Sequence, residues 1–282
     1  MITVTIAYSA DERMAMPLAA SIASAVANFR DPRAYLEVIV IDGGLSPLSV
    51  RRLVPTFADA SRFRFSLVTP SVRGAQGIQL KRYGLAAIRR LELSHLLPNH
   101  HRVIYLDADT IVEHNLRELW NEARGEGAIW ARQDWMFPNM SHPYLQERQS
   151  GLGMHPDDPY FNSGVLVLDL DDWRKKDLGA RVISFLRAKG ACCPWLDQDA
   201  LNAVFRGQWR RLSARWNRYP AEVSRLDSTG IIHYVGADAK PWLEPFEENL
   251  ANRRFQHYFE TTSWRDFAPM PRASGRRHLV SR

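Results

Sequence analysis

His101-Arg102-Val103-Ile104-Tyr105-Leu106-Asp107-Ala108-Asp109-Thr110 joins a compact apolar run to a pair of carboxylates. Val103 to Leu106 is the uninterrupted hydrophobic stretch of a strand buried on both faces. It stops at Asp107, and Asp109 follows two residues on. In an extended chain alternate side chains share a face, so the two carboxylates are expected to emerge together. In open α/β sheets, ligands gather at the carboxyl ends of the strands. Two like charges held there resist ionising together unless a cation joins them. Hard oxygen ligands suit magnesium or manganese, whose shells phosphate oxygens commonly complete. The competing reading is that the aspartates cap the helix expected from Asn115-Leu116-Arg117-Glu118-Leu119-Trp120. Asp-x-Asp alone does not choose between them.

The flanking sequence alternates strands with helices. Ile2-Thr3-Val4-Thr5-Ile6-Ala7 predicts a first strand, and Leu18, Ile22, Ala25 and Val26 then fall at helical spacing. Val38 to Ile41 and Phe63 to Val68 predict two more strands, with a helix opening at Ser46-Pro47 between them. A long helix is expected from Gln76 to Leu97, burying Ile78, Leu85, Ile88 and Leu91. This rhythm implies a mostly parallel sheet covered on both sides. Residues 134–160, rich in proline and aromatic side chains, read as a long loop, either core cover or an acceptor platform. Strands at Phe161 to Leu170 and Ile231 to Gly236, and helices near Trp173, at Asp197 to Phe205 and at Phe246 to Phe259, complete the pattern. No repeat or linker interrupts it. One domain over 1–245 is expected, with a helix and basic tail over 246–282.

Composition narrows the classes. Hydrophobic residues at 45% and charged residues at 24% are ordinary for a globular chain of 282 residues. The net charge of +6 suits an anionic ligand, a nucleic acid or a membrane surface. The arginines are scattered and no nucleic-acid motif occurs, so no nucleic-acid partner is expected. The two cysteines, Cys192 and Cys193, are neighbours and cannot staple distant segments, which favours a reducing compartment. Met1 leads straight into a strand pattern, and no apolar run spans a bilayer, so a cytoplasmic location is expected. Arg272, Arg276, Arg277 and Arg282 are compatible with weak contact at the anionic inner face of a membrane, and also with plain solvation.

Four segments carry the candidate chemistry in order: Tyr105-Leu106-Asp107-Ala108-Asp109, Phe161-Asn162-Ser163-Gly164-Val165-Leu166, Leu196-Asp197-Gln198-Asp199-Ala200-Leu201-Asn202, and the run from His233-Tyr234-Val235-Gly236 to Lys240-Pro241-Trp242. Together they resemble the retaining nucleotide-sugar glycosyltransferases of family eight, among them bacterial lipooligosaccharide galactosyltransferases and glycogenin. The likeness extends from the first strand to about Trp242. It implies the α/β fold called GT-A, a mostly parallel Rossmann-like sheet flanked by helices, here with a C-terminal helical extension. It implies Mn2+, or alternatively Mg2+, on Asp107, Asp109 and His233, bridging the diphosphate of a UDP-sugar. It places Gly236 and Lys240 on the diphosphate, and Asn162, Ser163 and Gly164 near the sugar. Ala7, Asp11 and Arg13 fall at the uracil and ribose, and Ala108, with Asp107, among the donor contacts. Arg90, Asp134, Asp197 and Gln198 fall at the transferred sugar, the last three as the residues of catalysis.

Three departures from that family's pattern stand out. Three residues separate Gly236 from Lys240 where two are usual, Ile88 replaces a tyrosine, and Arg13 stands where asparagine is common. The function implied is a UDP-sugar-dependent hexosyltransferase, with glucose or galactose transferred to a glycan, a lipid-linked glycan, a protein or a small molecule. A silent sugar-nucleotide-binding protein and a metal-dependent phosphohydrolase or nucleotidyltransferase are the alternatives. Residue by residue, blander readings also exist: His233 as a core histidine, Lys240-Pro241-Trp242 as a surface turn, and Asp197 with Asp199 as helix-starting acids.

Overall fold

Strands β1 (Ile2–Ala10), β2 (Ala34–Asp42), β3 (Phe63–Val68) and β4 (Arg102–Leu106) lie side by side and parallel in the computed structural model. The structure describes residues 2–55, 57, 59, 61–70, 77–78, 84–224, 230–236, 240–243 and 248–267. The short β5 (Thr110–Val112) leaves this layer, while β6 (Ile129–Gln133), β7 (Phe161–Asp169) and β8 (Arg210–Arg211) extend it. The sheet order is β3-β2-β1-β4-β7-β6-β8, and β7 alone runs against the rest. The late strand β9 (Ile231–His233) pairs with β5 in a separate two-stranded sheet.

Both faces of the central strands β1, β4 and β7 are buried along most of their length, as continuous apolar strands require. Val4, Ile6 and Tyr8 pack on one side beneath the helix Ala15–Asn28. Ala7, Ile39, Ile41 and Tyr105 face the other, under helices that include Leu178–Lys189 and Asp197–Val204. The chain steps outward from β1 to β3 and then returns to β4 on the opposite side of β1. In open α/β sheets such a reversal is where ligands bind, outside the carboxyl ends of the strands beside it, here β1 and β4. Asp11 follows β1 there, and Asp107 follows β4. Because β7 is antiparallel, with Val165 opposite Leu106, its first residues lie alongside Asp107.

The structure corrects two expectations. The helix expected from Gln76 to Leu97 is three short pieces, Gly84–Arg89, a 3-10 turn Arg90–Glu92, and Leu93–Leu96. Gly84 has φ +69, a left-handed conformation that interrupts a right-handed helix, and Gln76 and residues 79–83 lie outside the described residues. Ile88 and Leu91 are buried as expected, but Leu85 is 39% exposed. The 134–160 segment is not a featureless loop. It forms the helices Pro143–Gln146 and Gln149–Leu152, buries Met140, Leu145, Leu152 and Met154, and leaves Trp135, Met136 and Tyr144 exposed.

Beyond the late strand, the helix Leu250–Phe259 packs Phe255 and Phe259 into the core cluster beneath β1. Phe246 and the basic tail lie outside the described residues. Among those residues, no helix is long and apolar enough to cross a membrane.

Candidate active site

Where β4 ends, Asp107 and Asp109 enter a turn and not the extended conformation expected, with Ala108 buried between them. The Thr110 hydroxyl donates to the Asp107 carbonyl oxygen at 2.8 Å and closes the turn. The carboxylates still meet, because the β5–β9 register sets His233 opposite Thr110. Asp107, Asp109 and His233 each offer a ligand atom, all within 4.8 Å of one another. Nε2 of His233 lies 3.6 Å from Asp107 Oδ2 and 3.3 Å from Asp109 Oδ1. The second oxygen of each carboxylate is already used. Asp107 Oδ1 accepts from Arg90 Nη2 at 2.7 Å and from the Tyr105 hydroxyl at 3.0 Å, and Asp109 Oδ2 accepts from Lys240 Nζ.

The helix Leu116–Glu122 is capped by Asn115, whose side chain accepts from Arg117 N at 3.0 Å, so the aspartates do not cap it. Burial opposes ionisation of Asp109, but the Lys240 ammonium outweighs it and holds that carboxyl well below the usual range. His233 turns Nδ1 to Asn217 Oδ1 at 3.0 Å, which leaves the Nε2 lone pair facing two carboxylate oxygens. Three electron-rich atoms brought together in this way fit a divalent cation. Gly164 lets the ring lie there: a Cβ on it would come 2.0 Å from His233 Cε1.

Behind this group sits Arg90, 6% exposed, with its guanidinium 4.4 Å over the Tyr105 ring. Its Nη1 donates to the Ser163 carbonyl oxygen at 2.8 Å, and its Nε is 3.1 Å from Asp197 Oδ2. Burial pushes the Asp197 carboxyl up to about 6, against the pull of Arg90. Gln198 Oε1 accepts from Ser163 N at 3.1 Å. Its Nε2 is 3.5 Å from the Tyr160 hydroxyl, which in turn donates to Asp199 at 2.7 Å. Consecutive helical side chains do not normally converge like this. Leu196, at φ +49 and ψ −112, supplies the irregular backbone just before the helix.

Asp134, at the end of β6, is 3% exposed. Its Oδ1 accepts from the backbone N–H of Met136 and of Phe137, both at 2.9 Å, and its Oδ2 from the Tyr219 hydroxyl at 2.8 Å. Burial raises its carboxyl above the ordinary range. Asn162 bonds to Gly164 N, Asn217 and Tyr219. Ala7 is wholly buried in mid-strand, aligned with Ile39 and Tyr105. Asp11 caps the following turn and pairs with the exposed Arg13 at 2.7 Å, beside Gly84. Gly236 has φ +94 and open space around it.

Sequence reasoning missed Asn217 and Tyr219. They come from the turn Ala214–Asn217 and the residues after it, where no periodicity or motif marks a polar side chain as inward-facing. Tyr105 lay in view but reads as core.

A family model described as Glycosyl transferase family 8 matches residues 5–245, a span that holds every residue above. The chain belongs to glycosyltransferase family 8. Among its relatives, General stress protein A of Bacillus subtilis (strain 168) is 26% identical over 275 residues, covering 90% of this chain and 92% of that protein. The lipopolysaccharide 1,2-glucosyltransferase of Escherichia coli (strain K12) is 28% identical over 188 residues, covering 60% of this chain and 52% of its own length. The solved structure of the galactosyltransferase LgtC, in complex with donor and acceptor sugar analogs, superposes with a TM-score of 0.78 at 23% identity, covering 93% of this chain and 99% of that one. That likeness establishes the GT-A fold for this family 8 chain.

Proposed function

We propose that this chain is a retaining hexosyltransferase that takes glucose or galactose from a UDP-sugar, with residues 1–245 as the catalytic unit. The observation that carries the reading is the meeting of Asp107, Asp109 and His233 at the sheet reversal, with Lys240 against Asp109. These three side chains would hold Mn2+, with Mg2+ as the alternative, and a divalent ion there supplies charge stabilisation to the departing diphosphate. The Lys240 ammonium adds a positive charge at the same place. Arg90 locks Asp107 and Asp197 in position, and Ser163 and Gln198 line the start of β7 where the hexose is expected. Asp197 is suited to accept hydroxyl hydrogen bonds from that sugar.

Gln198 is a weak nucleophile, since an amide oxygen donates electrons poorly and here already accepts from a backbone N–H. Substitution on the sugar face from which UDP leaves needs no such nucleophile, and retention follows from it. The names of the glucosyltransferase and the galactosyltransferase above support a hexose donor, and the first of them a lipid-linked glycan as acceptor. A cytoplasmic location with weak peripheral membrane contact accords with that acceptor. A screen of UDP-sugars with Mn2+ tests the reading, scoring UDP release and then product masses with candidate acceptors. Release of UMP in place of UDP would indicate phosphohydrolase or nucleotidyl chemistry instead.

A further inference from the structure

A buried chain of hydrogen bonds runs from His233 to Asp134, and the backbone sets its direction. The N–H of Gly164 can only donate, so Asn162 must turn Oδ1 toward it, at 2.9 Å. The same oxygen lies 2.9 Å from the Asn217 amide, which must therefore present Nδ2 there and Oδ1 toward His233. That Oδ1 only accepts, so Nδ1 of His233 carries the hydrogen whenever the ring is neutral, and Nε2 keeps its lone pair toward Asp107 and Asp109. The far end is fixed in the same way. Two backbone N–H groups and the Tyr219 hydroxyl donate to Asp134, and Tyr219 in turn accepts from Asn162 Nδ2 at 3.1 Å. Asn162, Asn217, Tyr219, Asp134 and His233 are all 5% exposed or less. Reversing any one of them would set two donors or two acceptors face to face in a dry interior. Arg132 holds the Asn217 backbone in place through its carbonyl oxygen, at 2.5 Å.

We infer that Asn217 and, behind it, Tyr219 are positioning residues that fix the nitrogen His233 presents to the metal. The inference rests on the metal reading of Asp107, Asp109 and His233. Partners of this kind orient a ligating imidazole and raise its basicity, and their loss typically costs about 10–100-fold in metal affinity.

Nitrogen-15 NMR on histidine-labelled protein, with His233→Ala to assign the signal, should show the neutral ring protonated at Nδ1. A wild-type ring protonated at Nε2 overturns the inference, whatever the variants do. Mn2+ binding in the presence of UDP, followed by electron paramagnetic resonance, should weaken about 10–100-fold in Asn217→Leu. Asn217→Asp, which keeps an acceptor for Nδ1–H but gives up the donor to Asn162, should recover part of that loss. Tyr219→Phe, two hydrogen bonds further away through Asn162, should lose only a few-fold. An Asn217→Leu protein that binds within about two-fold of wild type, while His233→Ala binds poorly, removes the positioning role alone. If His233→Ala itself binds Mn2+ and UDP as wild type does, the metal reading is what fails.

Discussion

Asp107 and Asp109 each divide their two oxygens between a cation of the chain and the point that His233 faces. Lys240 therefore acts in two opposed ways: it neutralises Asp109, and it places a like charge beside any bound metal. Lys240→Ala should tighten Mn2+ binding several-fold without nucleotide and weaken UDP binding about ten-fold, the worth of one hydrogen bond to a charged group. Calorimetric titrations of each ligand read both signs, and a lysine with only a structural role would shift neither.

Asp197 gives a pH signature. Its carboxyl is raised to about 6 from an ordinary 3.8, so the fold favours the protonated form. That contribution is complete below the unfolded value and lost as pH rises through about 6. Asp197→Asn should remove this decline, so that its urea midpoint relative to wild type improves as pH rises from about 4 to 7. Donor turnover should move the opposite way, rising through about pH 6 in wild type as the carboxylate forms, with no such limb in Asp197→Asn. A wild-type rate that is flat across this interval would separate Asp197 from the sugar.

The broken helix at 84–96 offers a test whose sign is decisive. In a helix interior, Gly84→Ala would stabilise by about 1 kcal/mol. With φ at +69, and Arg13 Nη2 3.4 Å from the added Cβ, it should instead destabilise by about 1–2 kcal/mol, lowering the melting temperature by a few degrees. The apolar spacing of Ile78, Leu85, Ile88 and Leu91 suggested continuity because spacing records which faces are apolar and not where φ changes sign. The strands were legible for the converse reason, since β4 and β7 are apolar runs buried on both faces. Most of the site was legible too, as short motifs at strand ends. The neighbour of β9 was not. A sequence shows that Ile231 to His233 is strand-like, but pairing with Thr110 to Val112 is a long-range choice. The Asn217 to Tyr219 link was invisible for the same reason, as its meaning comes wholly from what it touches.

The candidate metal site joins the two sheets: Asp107 extends from β4 of the large one, and His233 closes β9 of the small one. A cation shared between them is thus a cross-link between two sheets with separate hydrogen-bond ladders, and its binding energy adds to the stability of the whole. Three protein ligands leave positions for diphosphate oxygens, so Mn2+ should bind weakly alone and firmly with UDP. At about 100 times the dissociation constant, the pair should stabilise the protein by about 2.7 kcal/mol. In a chain this long, that corresponds to a rise of several degrees in melting temperature. Asp107→Ala and Asp109→Ala should each abolish both the rise and transfer, because the remaining ligands cannot hold the ion against the leaving group. His233→Ala should keep part of each, since water can replace one neutral ligand. Without ligands all three variants should melt cooperatively, as the side chains stand at strand ends and none belongs to the two buried apolar clusters. A scan of wild type and variants, each with Mn2+, with UDP and with both, reads these outcomes together. An Asp107→Ala protein that still gains the full rise from the pair would show that the cation is held elsewhere.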